Sequence, residues 1–70
     1  MIVPCRMKSL KYIKYGDFEM SKDAYADVSL HSEKGTNRYR MLRVTCGNSS
    51  TTFTEAALES AIERGDFSLA

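Results

Sequence analysis

The fold is decided by residues 51–67, which read TTFTEAALESAIERGDF. Thr54 is suited to the N-cap of a helix because its hydroxyl can accept a hydrogen bond from an unpaired helical N–H group. Gly65 is suited to the left-handed residue that commonly follows a helix. The apolar residues between them recur at helical spacing on one stripe: Ala57, Leu58, Ala61 and Ile62. We therefore predict a helix from about Thr54 to Arg64, whose apolar stripe covers one face of a sheet.

A row of three glutamates, Glu55, Glu59 and Glu63, recurs every four residues on another face of this helix. Glu55 also completes an alternative capping box with Thr52, one turn earlier. Such a row is typical of a helix face in contact with water. Alternatively, it forms an acidic contact surface for a basic partner. The sequence alone leaves both interpretations open.

Two preceding segments have the alternation of β-strands. Residues 24–31, AYADVSLH, alternate apolar and polar side chains, and residues 38–46, RYRMLRVTC, are rich in types that suit a pleated surface. The turn cluster SEKGTN joins them, which predicts an antiparallel hairpin. A register in which opposed residue numbers sum to 70 sets apolar residues opposite apolar ones. It also places Asp27 opposite Arg43, a favourable cross-strand charge pair.

The N-terminal part of the chain is ambiguous. Residues 7–15 show a three-residue spacing that suits a helix, but their tyrosines and Ile13 favour a strand, which we prefer. Gly16 and Asp17 then predict a turn, and residues 19–24 a polar connection. We therefore predict one small α+β domain over residues 1–70. Its antiparallel β-sheet has three to four strands, and the C-terminal α-helix packs on one face.

The composition excludes several classes of function. Ten Lys and Arg residues against nine Asp and Glu residues leave a net charge of +1, which argues against general binding to a phosphate backbone. Two cysteines are too few to indicate a disulfide scaffold. The sequence contains neither a secretory leader nor an 18-residue apolar run. We expect a soluble cytoplasmic protein with no membrane contact.

The sequence shows no pattern typical of a catalytic site. In the predicted register, His31 and Cys46 stand roughly 20 Å apart, too far for a nucleophilic pair. The metal-binding spacings CxxC and HxxxH are absent, and the glycines are isolated turn residues rather than a nucleotide-binding loop. We therefore predict that the protein is not an enzyme and needs no cofactor and no metal.

The candidate contact residues are aromatic, basic or acidic. The second face of the predicted sheet carries tyrosines and arginines, which are enriched in protein-binding hot spots and can also stack bases. A further alternative is that the N-terminal segment or a second subunit covers this face. The predicted partner-binding residues are Tyr12, Tyr15, Tyr25, Tyr39, Arg40, Arg43, Glu55, Glu59 and Glu63.

The chain resembles small phage-encoded anti-defence proteins, in particular some anti-CRISPR inhibitors. The resemblance lies in the leading stretch MKSLKYIKY, with Met7, Lys8, Lys11 and Tyr12, followed by the hairpin and the closing helix. It implies a non-enzymatic inhibitor that binds a nucleic-acid-guided defence complex of the host and blocks its nucleic-acid site.

The chain departs from the strongly acidic inhibitors that imitate DNA, because its net charge is +1. Only the glutamate row together with Asp66 could supply such a surface. Two alternatives remain. One is a small RNA or single-stranded DNA-binding protein that uses the aromatic and arginine-bearing sheet face. The other is a structural homodimer built through the sheet.

Overall fold

The computed structural model describes residues 1–32 and 40–70. The elements are, in chain order, β1 (Cys5–Ser9), β2 (Ile13–Tyr15), β3 (Phe18–Met20), β4 (Tyr25–Ser32), β5 (Met41–Cys46), β6 (Ser49–Thr54), α1 (Glu55–Arg64) and β7 (Phe67–Leu69). The predicted small α+β domain with antiparallel strands is confirmed. The predicted number of strands is wrong, because the described residues form a five-stranded sheet and a separate two-stranded sheet.

The antiparallel pairing of β4 with β5 confirms the two predicted middle strands, although the predicted turn SEKGTN beyond Ser32 and residues 38 and 39 of the second strand lie outside the described residues. The predicted register is wrong by two positions, since Val28 faces Val44 and Ser29, not Asp27, faces Arg43. A shift of two residues keeps every side chain on the same sheet face. The apolar pattern therefore predicts the buried face correctly but cannot choose between these two registers.

The larger sheet has the strand order β6-β5-β4-β1-β7. Its first strand in sequence, β1, lies between β4 and the last strand, β7, with Lys8 facing Tyr25 on one side and Ser68 on the other. The predicted continuous strand over residues 7–15 is instead divided between β1 and β2. The strand β7 was not predicted, because three residues are too short to show a periodic pattern.

The two-stranded sheet is a hairpin of β2 and β3 around Gly16, whose positive φ of 59° fits the predicted turn. The predicted polar connection over residues 19–24 is wrong in its first two positions, which belong to β3. Phe18 and Met20 are both buried, whereas Glu19 between them is exposed. Because successive side chains of a strand point to opposite faces, one face of β3 packs in the core and the other is exposed.

The helix α1 has the caps that the sequence predicts. The Thr54 hydroxyl accepts a hydrogen bond from the Ala57 N–H at 3.1 Å, so Thr54, rather than the alternative box, forms the N-cap. Gly65 has a φ of 87°, and its N–H donates to the last-turn carbonyls of Ala61 and Ile62. These bonds satisfy backbone groups that a helix end otherwise leaves unpaired.

One hydrophobic core joins the elements. Its buried residues are Met7, Ile13, Phe18, Met20, Ala26, Val28, Leu42, Val44, Leu58, Ala61 and Phe67. The larger sheet contributes inward-facing residues of β1, β4, β5 and β7, and the rest come from the β2–β3 hairpin and α1. The helix contacts both outer strands of the larger sheet, β6 and β7. The sheet therefore has a buried face and an exposed one.

Candidate functional site

The exposed face of β1, β4 and β5 carries two of the predicted contact residues. We call this surface the outer sheet face; its outward residues are Arg6, Lys8, Tyr25, Asp27, Ser29, His31 and Arg43. Tyr25 is 53% exposed because its neighbour Ala26 takes the inward position. Arg43 faces Ser29 across the β4–β5 ladder. Its Nη2 atom lies 3.1 Å from the Nδ1 atom of His31, which is two residues beyond Ser29 on β4. Tyr25 and Arg43 therefore belong to one surface.

Two other basic groups on the outer sheet face have acidic partners. The Nε atom of Arg6 lies 3.3 Å from Oδ1 of Asp27, and Nζ of Lys8 lies 3.6 Å from Oδ1 of Asp23. Arg43 has no carboxylate within ion-pair distance among residues 1–32 and 40–70. Of the three cations on this face, Arg43 is thus the one whose charge is not offset by a described acidic side chain.

The predicted tyrosines Tyr12 and Tyr15 lie elsewhere, at the β2–β3 hairpin. The Tyr12 hydroxyl donates a hydrogen bond to the Glu19 carboxylate, and this contact raises the pKa of Tyr12. The Tyr15 ring meets the Phe53 ring edge-on, with 5.3 Å between the ring centres and 85° between the planes. The structure therefore does not gather the described tyrosines on one surface. Tyr39 lies outside the described residues.

Glu55 and Arg40 form an internal ion cluster with the first residue. The α-amino group of Met1 lies 2.9 Å from Oε2 of Glu55, and Nη1 of Arg40 lies 3.4 Å from the same oxygen and donates to the Met1 carbonyl at 3.2 Å. The hydrogen bond from the Met1 amino group lowers the pKa of Glu55, against the opposing effect of burial. Glu55 is buried, so both side chains are committed within the fold.

The other two glutamates of the row face solvent. Glu59 and Glu63 are exposed, and Oε2 of Glu59 lies 3.5 Å from the Met1 amino group. Both line a groove of about 380 Å³ whose remaining walls are Met1, Ile62 and Leu69. The sequence predicted the acidic row but not the groove, because Leu69 reaches this place only through the pairing of β7 with β1.

Asp66, which the resemblance added to the acidic surface, is buried and paired. Its two carboxylate oxygens lie 2.7 Å from Nζ of Lys11 and 3.0 Å from Nη2 of Arg64. The hydrogen bond from Lys11, followed by that from Arg64, lowers the pKa of Asp66, while burial opposes the shift. This carboxylate therefore holds the end of α1 to the segment between β1 and β2.

The described part of the chain contains no cluster of three or more His, Cys, Asp or Glu side chains that could hold a metal ion. No helix within residues 1–32 and 40–70 is long and apolar enough to cross a membrane. The chain matches no protein-family model, no curated protein and no solved structure in the three comparisons.

Proposed function

We propose that this protein is a non-enzymatic protein-binding module whose partner is a nucleic-acid-guided defence complex of a host, and that it blocks the nucleic-acid site of that complex. The observation that carries the proposal is the outer sheet face, which presents Tyr25 and Arg43 in solvent while the opposite face of the same strands is buried.

Exposure alone would not distinguish this face, since antiparallel sheets commonly leave one face in water. The residue types distinguish it, because tyrosine and arginine dominate the energetic centres of protein interfaces. Both stand on β4 and β5, which pair with neighbours on both sides. Such rigid backbone lowers the entropic cost of ordering an interface.

The exposed glutamates support the choice of partner class. A site that holds nucleic acid is lined by basic groups that neutralise phosphates. Glu59 and Glu63 would complement such a site, whereas the outer sheet face would contact the surrounding protein. The outer sheet face and the exposed glutamates thus make different contacts in one complex.

The test begins with capture of the partner from host lysate on the immobilised protein, with identification by mass spectrometry. Titration calorimetry with the purified complex then compares wild type with Tyr25→Ala and Arg43→Ala. We expect each change to weaken binding about tenfold or more, as for hot-spot truncations. Asp17→Asn, an exposed change at the β2–β3 turn, is the control and should leave affinity unchanged.

A competition experiment tests the blocking step. The partner complex is loaded with its matching nucleic acid before the protein is added. Binding should be lost or strongly reduced on the loaded complex. Equal binding to the loaded and empty complexes would overturn the proposed blocking, and unchanged affinity of both sheet-face variants would overturn the proposed contact surface.

The second candidate function is binding of RNA or single-stranded DNA, which the three cations of the outer sheet face favour. Stacking of successive bases needs several aromatic side chains on one surface, and among the described residues this face carries one tyrosine, Tyr25, and no Phe or Trp. Fluorescence anisotropy with short RNA and DNA at two salt concentrations separates the candidates. Micromolar binding that weakens steeply with salt would favour the nucleic-acid function. The alternative of a structural homodimer is tested separately, by sedimentation at several protein concentrations.

A further inference from the structure

The strand β7 leaves backbone groups available for another strand at Leu69. The Ala70 N–H donates to the Arg6 carbonyl at 2.9 Å, and the Leu10 N–H donates to the Asp66 carbonyl at 2.9 Å. Because hydrogen-bonded pairs alternate with non-bonded pairs in an antiparallel ladder, Leu69, which faces Met7, occupies a non-bonded position. Its N–H and C=O therefore point away from β1.

These backbone groups lie at an accessible edge. Among residues 1–32 and 40–70, β1 is the strand that pairs with β7, and β7 ends the five-stranded sheet. Leu69 is 58% exposed. An open edge of this kind can accept an extended peptide by β-strand addition, in which main-chain hydrogen bonds supply affinity and side-chain pockets supply specificity.

The groove beside this edge supplies such a pocket. Leu69 itself lines it, together with Met1, Ile62 and the two exposed glutamates of α1. The pocket therefore combines an apolar wall with two carboxylates. The carboxylate of Glu59 has one ionic contact, at 3.5 Å from the Met1 amino group. The carboxylate of Glu63 has no ion-pair partner in the described part of the chain. Apolar and basic side chains together fit this lining.

The spacing of the two carboxylates matches an extended chain. Residues four apart on a helix are separated by about 6 Å along its axis. Side chains on the same face of a strand are two residues apart, which is about 6.6 Å. Two basic side chains at alternate positions of a peptide strand can therefore reach Glu59 and Glu63 at the same time.

We infer that the groove between α1 and β7 binds an extended segment of the partner protein that carries Lys or Arg at two alternate positions followed by an apolar residue at the next alternate position. The segment adds to β7 at Leu69. The inference rests on the proposed function and names a surface and a ligand chemistry for it. A second copy of this chain is the poorer occupant, because symmetric pairing of two β7 edges would bring the same glutamates of both copies together.

The probe is the synthetic peptide acetyl-TRTRTLT-amide, titrated into the isotope-labelled protein and followed by NMR of the backbone amides. We expect submillimolar binding with the largest shifts at Leu69 and Glu63. The reversed-charge peptide acetyl-TETETLT-amide should not bind. Glu59→Gln combined with Glu63→Gln should weaken binding at least fivefold, whereas Asp17→Asn, which removes an exposed charge that does not line the groove, should not.

Backbone methylation tests the strand addition itself. Two forms of the probe carry N-methyl groups on either the odd or the even residues. Since only one set of N–H groups in a strand faces its neighbour, one form should lose binding and the other should keep it. Equal affinity of both forms would show a contact made by side chains alone and would overturn the strand addition.

Other outcomes overturn the inference as well: no shifts at millimolar peptide, shifts confined to β4 and β5, or unchanged affinity of the double glutamine variant. Binding of the variants to the captured partner complex then shows whether the groove inference alone fails or the proposed function fails. If the double glutamine variant binds that complex like wild type while Tyr25→Ala does not, the groove inference fails and the protein-binding function stands. If no complex is captured, and the probe peptide still binds the groove, the proposed partner fails and the groove stands.

Discussion

The carboxylate of Asp27 pairs with the guanidinium of Arg6 across the β1–β4 ladder, with 3.3 Å between Oδ1 and Nε. Replacing both residues with alanine, singly and together, should give a coupling energy of about 0.2–1 kcal/mol, because both side chains are exposed. The corresponding cycle between Asp27 and Arg43 should give a value near zero. Urea denaturation measures both, and the reverse ranking would contradict the register.

Leu58 should contribute far more stability than Ile62. Leu58 is fully buried in the core, whereas Ile62 is partly exposed and lines the groove. Leu58→Ala should lower the free energy of unfolding by about 2–4 kcal/mol. Ile62→Ala serves as the matched control and should cost clearly less. Equal losses in urea denaturation would show that the helix packs differently.

Gly65→Ala should destabilise the protein by about 1 kcal/mol. The cause is conformational, since Gly65 has a φ of 87° and a Cβ atom there would meet no side chain or backbone of a distant residue within 4 Å. Gly65→Asn is the control, because asparagine tolerates the left-handed conformation better than alanine. Thermal unfolding should rank the variants Gly, Asn and Ala from most to least stable. A more stable alanine variant would contradict the observed cap.

Asp66 should contribute to stability at neutral pH and lose that contribution in acid. Its pKa in the folded protein is lowered from the ordinary 3.8 by Lys11 and Arg64. The unfolded chain therefore binds the proton more readily than the folded one. The stabilisation is fully present well above the ordinary pKa of 3.8, begins to decrease as the pH approaches that value, and is lost as the pH falls through the lowered pKa.

Asp66→Asn measures this contribution. It should cost about 1–2 kcal/mol at pH 7, since the lost bonds involve a charged group but both cationic partners are largely exposed. The difference between wild type and variant should shrink between pH 5 and pH 2 in urea denaturation. A difference that stays constant over this range would rule out the ion pairs as its source.

The helix was predictable because its signals are local. Thr54 and Gly65 act on backbone groups within four residues, so their types indicate the two ends directly. The buried faces of β4 and β5 were equally predictable from alternation. Their register was not, because Val28 opposite Leu42 and Val28 opposite Val44 are equally apolar.

The strands β3 and β7 could not be predicted from the sequence, because each has only three residues. Phe67 lies in a strand that forms only by pairing with β1, which is far away in the sequence. Met20 stood in a stretch of polar residues, and its burial follows from the hairpin with Ile13. Short strands of three residues carry too little pattern to be recognised before their neighbours are known.

In the candidate site, too, the local features were predictable and the contacts between distant residues were not. The spacing of Glu55, Glu59 and Glu63 correctly indicated one helical row, but not that Glu55 is buried against Met1 and Arg40. Met1 and Glu55 are far apart in the sequence, so no local sequence pattern indicates that they are in contact. The groove depends on Leu69 and was hidden for the same reason.

The central position of β1 has a kinetic consequence. Because β1 is synthesised before both of its neighbours, β4 and β7, the sheet cannot be completed before Leu69 has been synthesised. Folding rates fall as contacting residues lie farther apart in sequence. The pairing of Met7 with Leu69 is therefore expected to form late, and until it does β1 exposes an open edge to which another unfinished chain can bind.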